Sequence, residues 1–143
     1  MRPDLDGDDN EAMTDPARSS RTDPPRAVRR RHRVGATDTA AAVGSGEVDV
    51  LATPRLIAWL EGATVSAAAP FLAAGETTVG SAIRIGHRRP TRVGDSVEVV
   101  AEPPEAPDGR RLVFTVRAVD DDGELVAAGE IERVIIQRSR FPG

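Results

Sequence analysis

The sequence predicts an α+β fold, an antiparallel sheet wrapped around one central helix, working as a dimer. Three observations carry this. A single stretch has convincing helical character and is largely apolar, so it belongs inside the molecule rather than on it. After it the hydrophobic period changes to two and stays so through four segments. Consecutive antiparallel strands enclosing one apolar helix is one of few ways to hide both layers. Such an open sheet keeps a bare edge and an incompletely covered face, which a second copy can extend and cover.

The elements follow in order. Residues 1–27 carry Pro3, Pro16, Pro24 and Pro25, many charges and almost no large apolar side chains, so they read as a disordered tail. The folded domain is expected over residues 28–143. RHRV before Gly35 suits a short strand. TDTAAAVG at 37–44 reads as one helical turn with a Thr or Asp cap and a Gly stop. The central helix is PRLIAWLEGATVSAAA, residues 54–69, with Thr53 as N-cap, Pro54 at the first helical position and Pro70 ending it. TTVGSAIRIGH (77–87) then alternates Val79, Ser81, Ile83, Ile85 and His87 on one face. VGDSVEVVAE (93–102) follows a turn-like RRPTR. GRRLVFTVRAVD (109–120) sends Leu112, Phe114, Val116 and Ala118 inward. DDDG turns the chain, with Gly123 suited to a positive φ, and ELVAAGEIERVIIQR (124–138) is the last strand.

Composition narrows the function classes. The chain of 143 residues has no cysteine, which excludes disulfides, cysteine nucleophiles and thiolate metal sites. The two histidines, His32 and His87, have no carboxylates around them at metal-ligand spacing, so neither a metal nor another cofactor is expected. No apolar run is long enough for a bilayer, and the acidic N-terminus MRPDLDGDDNEAMTDP lacks an apolar signal core. A cytoplasmic protein without a membrane partner is the expectation. A net charge of −4 argues against nucleic-acid binding. RRRHR at 29–33 is best read as a solvated strand face plus tail.

Several polar residues break the packing pattern. Glu61 lies four residues from both Ile57 and Val65, on an apolar stripe. A carboxylate there is at an interface, paired with an arginine at the stripe's edge, or in a site as base or nucleophile. His87 ends a strand on the face of Ile83 and Ile85, either satisfied there or activating water. Thr53 is explained by capping alone, although a helix start also offers N–H donors to an oxyanion. The eight-residue separation of Thr53 and Glu61 spans roughly 12 Å of helix, too far for both to grip one atom. Antiparallel central helices in a dimer would bring Thr53 of one chain near Glu61 of the other. Gly80 interrupts a strand, marking a bulge or a close backbone approach. Arg133 shares a face with Ile131 and Ile135 and needs an anionic or polar partner. Arg88, Arg89 and Arg92 form a basic turn beside His87, either solvated or facing phosphates.

Taken together, VLATPRLIAWLE at 50–61, VGSAIRIGH at 79–87, PTRVGDSV at 90–97, GRRLVFTVRAVD at 109–120 and GEIERVII at 129–136 resemble the fluoroacetyl-CoA thioesterase family of the hotdog-fold thioesterases. The pieces lie in the family's order and cover nearly everything after residue 45. The resemblance implies a hotdog homodimer with sites at the subunit interface, hydrolysing a small acyl-CoA thioester. It implies a catalytic group of Thr53, Glu61 and His87. It places Gly80 against the acyl thioester and Arg133 in the terminal Glu-Arg pair, while Arg88 and Arg89 fall where coenzyme A phosphates can be held. There are departures. Pro54 replaces a glycine, Ile131 stands where a histidine often precedes the Glu-Arg pair, and Gly44-Ser45-Gly46-Glu47 lacks the bulky aromatics that enclose fluoroacetate. The acyl group is therefore left open. Two other readings compete. A hydratase of the same fold needs an Asp and His pair that is not found. A non-catalytic acyl-CoA-binding module would have no use for Thr53, Glu61 and His87 together.

Overall fold

The computed structural model describes residues 26–142. The expected disordered tail falls on residues of which 1–25 lie outside that range. Strand β1 (Val28–Arg33) leads through a 3-10 turn (Ala36–Asp38) to the short helix α1 (Ala40–Val43) and the long helix α2 (Thr53–Ala68). Strands β2 (Glu76–His87), β3 (Ser96–Glu102), β4 (Arg111–Asp120) and β5 (Leu125–Gln137) follow. They form one antiparallel five-stranded sheet in the order β1-β3-β4-β5-β2.

Local chemistry explains the boundaries. Thr39 caps α1 by accepting from the Ala42 N–H, and Gly44 stops it in the left-handed region at φ 89°. Proline at the second position of α2 needs no N–H donor there, and Pro70 sits in the 3-10 turn that ends the helix. Along α2, Leu56, Leu60, Ala63 and Ala67 recur at helical spacing and are fully buried. They pack on the inward face of the sheet, where Val97, Val99, Leu112, Phe114, Val116 and Ile131 are likewise buried. A parallel stack of His32 on Trp59, ring centroids 4.4 Å apart, ties β1 to the helix. This sheet wrapped on a single helix is the hotdog arrangement.

Three local expectations are corrected. The residue preceding the helix in extended conformation is Ala52, at φ −68° and ψ 136°, so Ala52 occupies the N-cap and Thr53 is the first helical residue. The Thr53 hydroxyl therefore does no capping. β2 does not alternate strictly. Gly80 pairs with Arg133 and Ala82 with Glu132, so Ser81 is an extra residue in a bulge. The bulge puts Val79, opposite Val134, on the outer face, while Thr78, Gly80, Ile83, Ile85 and His87 all share the inner one. Finally, β2 and β3 are consecutive but not neighbours. β2 pairs only with β5, at the edge opposite β1. The connection between them is held beside the start of α2 by a Val50–Arg92 bridge and a Leu51 N–H to Thr91 carbonyl bond of 2.8 Å.

Candidate active site

Helix α2 and strand β2 run past each other in opposite directions, so the start of one meets the end of the other. Thr53 Oγ1 lies 2.7 Å from His87 Nδ1. Two features make this contact: Thr53 is freed from capping, and the crossing connection pins residues 50 and 51 beside the segment that follows His87. Burial holds the His87 imidazole below the ordinary histidine value of 6.5, partly opposed by the Arg89 backbone. Its Nε2 is buried without a hydrogen-bond partner in the structure. A neutral imidazole joined at Nδ1 to a hydroxyl can hold or pass one proton, depending on its tautomer.

Glu61, two helical turns on, sits against a second group. A β-carbon built on Gly80 would lie 2.6 Å from Glu61 Oε2, so only glycine lets the carboxylate approach the strand this closely. Arg133, opposite Gly80 in β5, stands 3.6 Å from the same oxygen through Nη1. Its side chain is 7% exposed against 34% for Glu61. Burial lowers the Arg133 pKa and the Glu61 charge opposes that, but a guanidinium remains a cation. The rest of its fork goes to Thr78: Nε donates to Oγ1 at 2.8 Å and Nη2 to the carbonyl at 3.2 Å.

Two groups result within one chain, Thr53 with His87 and Glu61 with Gly80, Arg133 and Thr78. Thr78 was missed by sequence reasoning. Strict alternation through β2 had turned Val79 and Ser81 inward, which hid the threonine, and only the bulge reverses this. In the basic turn, Arg88 and Arg92 are exposed, and Arg89 lies 3.7 Å from Asp120. Among the described residues no group of three His, Asp or Glu side chains is placed to hold a metal ion. No helix among them is long and apolar enough to cross a membrane.

Known proteins share this fold. Residues 34–139 match the family model of the fluoroacetyl-CoA-specific thioesterase. The fluoroacetyl-CoA thioesterase of Streptantibioticus cattleyicolor is 38% identical over 93 residues, which take in 65% of this chain and 66% of that relative, just under two thirds of its length. Among solved structures, a variant of the fluoroacetyl-CoA-specific thioesterase in complex with fluoroacetate and CoA superposes with a TM-score of 0.73 at 30% identity, covering 81% of this chain and 96% of the other. A thioesterase superfamily member from Thermus thermophilus gives a TM-score of 0.73 at 29% identity, covering 80% and 83%. With the family model spanning both helices and strands β2 to β5, the chain belongs to the fluoroacetyl-CoA-specific thioesterase family, within the hotdog thioesterases.

Proposed function

We propose that the protein hydrolyses a small acyl-CoA thioester to the free acid and coenzyme A, as a homodimer with Thr53, Glu61 and His87 as its catalytic group. The observation that carries the reading is the 2.7 Å contact between Thr53 and a half-buried, pKa-lowered His87. A helix cap and a surface histidine need no such contact. An oxygen, of water or of the Glu61 carboxylate, adds to the acyl carbon, the carbon–sulfur bond breaks, the departing thiolate takes up a proton, and in the second case water then cleaves the anhydride. Glu61 serves as the nucleophile, through an acyl-enzyme anhydride, or as the base that deprotonates water. His87 activates water or protonates the leaving sulfur, Thr53 orients the imidazole and the thioester, and backbone donors near Gly80 and the start of α2 stabilise the oxyanion. Among the basic residues after His87, Arg88 suits the phosphates of coenzyme A better than Arg89, which already faces Asp120.

The two groups belong to one site only if a second copy completes it. β2 has one unpaired side and exposes Val79 and Ile83, and α2 exposes a small apolar stripe of Pro54, Ala58, Gly62 and Val65. A β-carbon at Gly62 would meet nothing within 4 Å, leaving room for a second helix. With Ser81 left out of the ladder by the bulge, a two-fold axis passing at Arg84 of paired β2 edges would set Gly80 opposite the partner subunit's His87.

The test is release of coenzyme A from a panel of acyl-CoAs. The chain has no cysteine, so a thiol reagent reads the product without protein background. Glu61→Ala and His87→Ala are each expected to lower kcat by about 10²-fold or more, the usual worth of an acid–base group. Equal turnover by all three proteins would move the site elsewhere. Binding of acyl-CoA without turnover by the wild type would make this an acyl-CoA-binding module instead. Label found in Glu61 after single turnover in ¹⁸O-water would establish the nucleophilic role, since only an anhydride opened at the glutamyl carbonyl passes solvent oxygen to the side chain.

A further inference from the structure

We propose that Thr78 is a positioning residue for Glu61, acting through Arg133. The inference rests on the thioesterase reading above. Arg133 is a nearly buried cation, and such a group adopts whatever arrangement best satisfies its donors. The lowest-lying alternative for a guanidinium beside a carboxylate is a bidentate salt bridge. That arrangement would occupy the Glu61 lone pairs that the reaction needs. It is not the arrangement found. Nε is given to the Thr78 hydroxyl at 2.8 Å and Nη2 to the Thr78 carbonyl at 3.2 Å. Only Nη1 faces Glu61, at 3.6 Å, close enough for charge but too long for a direct hydrogen bond.

Thr78 is itself 8% exposed, so its hydroxyl has no ready exchange with water. It lies two residues before Gly80 on the same inner face of β2. One strand thus supplies both the gap into which Glu61 reaches and the anchor that holds the arginine back from it. The Thr78 carbonyl is fixed by the backbone, whereas the hydroxyl is the part a substitution can remove. Without it, the fork loses its Nε acceptor and rotates toward the carboxylate.

The experiment compares wild type with Thr78→Val, which keeps the shape of the side chain, and Thr78→Ser, which keeps the hydroxyl. Thr78→Val is expected to lower kcat about tenfold, the scale of one buried charge-assisted hydrogen bond, with KM unchanged. Thr78→Ser is expected to restore kcat. Arg133→Lys cannot span Thr78 and Glu61, so adding Thr78→Val to it is expected to cost nothing more. An activity-free readout accompanies the kinetics: the Arg133 Nε–H proton, assigned by its loss in Arg133→Lys, should be slow to exchange in wild type and fast in Thr78→Val. Wild-type kcat in Thr78→Val, a Thr78→Ser as impaired as the valine, or additive losses in the double variant would each overturn the proposal. Absence of wild-type turnover on any acyl-CoA would fail the thioesterase reading by itself. The exchange of the Arg133 proton would then still decide whether Thr78 holds the fork.

Discussion

A glycine and a histidine carry the sharpest consequences at the level of single residues. Gly80 matters for the space it leaves, because any side chain there starts 2.6 Å from Glu61 Oε2. The carboxylate is the end of a flexible side chain and can move aside, so Gly80→Ala should fold normally. It should nevertheless displace Glu61 from its working position, and misplacement on the ångström scale costs about 10²-fold in rate. Measured kcat near wild type, with an unchanged melting curve, would show that Glu61 does not work from this position. His87 gives a pH test. Burial lowers its pKa, so the neutral form predominates from below pH 6.5 upward. If neutral His87 is the working form, kcat should rise with pH through a midpoint below 6.5 and be flat above neutrality. A midpoint above 6.5 would contradict that role. His32 is lowered too, chiefly by burial against its neighbours. Between the folded value and 6.5 the unfolded chain therefore binds more protons than the folded one, and stability should decline as pH falls through that window.

The decisive element is β2, and what the residues reveal about it in advance is uneven. Helix α2 was legible because its apolar stripe, its proline near the start and the proline at its end all agree. β4 was legible because Leu112, Phe114, Val116 and Ala118 alternate without interruption and are buried as expected. Arg133 between Ile131 and Ile135 pointed to a buried cation for the same reason. β2 was not legible in full, since a bulge is a choice of register made with the neighbouring strand, and β5 is fifty residues away in sequence. Thr53 misled in a related way: its residue type suits a cap, but the long-range contact with His87 claims its hydroxyl. The bulge itself makes a prediction. Because Gly80 and Ala82 already pair with the adjacent Arg133 and Glu132, deleting Ser81 would close the ladder into strict alternation and leave Thr78, Gly80, Ile83, Ile85 and His87 all on the inner face. The deletion should therefore keep both turnover and a circular dichroism spectrum of sheet and helix. Lost turnover in a folded deletion would show that the bulge itself shapes the site.

At the scale of the whole molecule, the separation of the two groups along α2 is the argument for a shared site. Thr53 and His87 lie at one end of the α2–β2 crossing and Glu61, Gly80 and Arg133 at the other. One copy therefore presents two groups beside the same exposed helix stripe and strand edge. In the proposed homodimer, a two-fold axis through that surface would pair each group with the opposite group of the second copy, giving two complete sites per dimer. The consequence can be tested by mixing two dead proteins. When Glu61→Ala and His87→Ala are unfolded together and refolded, about half the dimers should be mixed. In each mixed dimer one site carries both lesions and the other carries neither, because the lesions lie in halves contributed by different chains. Turnover should then return to about a quarter of the wild-type value, although each parent alone is inactive. If each chain instead builds its own site, both sites of a mixed dimer stay broken and no activity returns. Sedimentation of the refolded mixture, run alongside, establishes that dimers formed, so silence in the assay would count against the shared site itself.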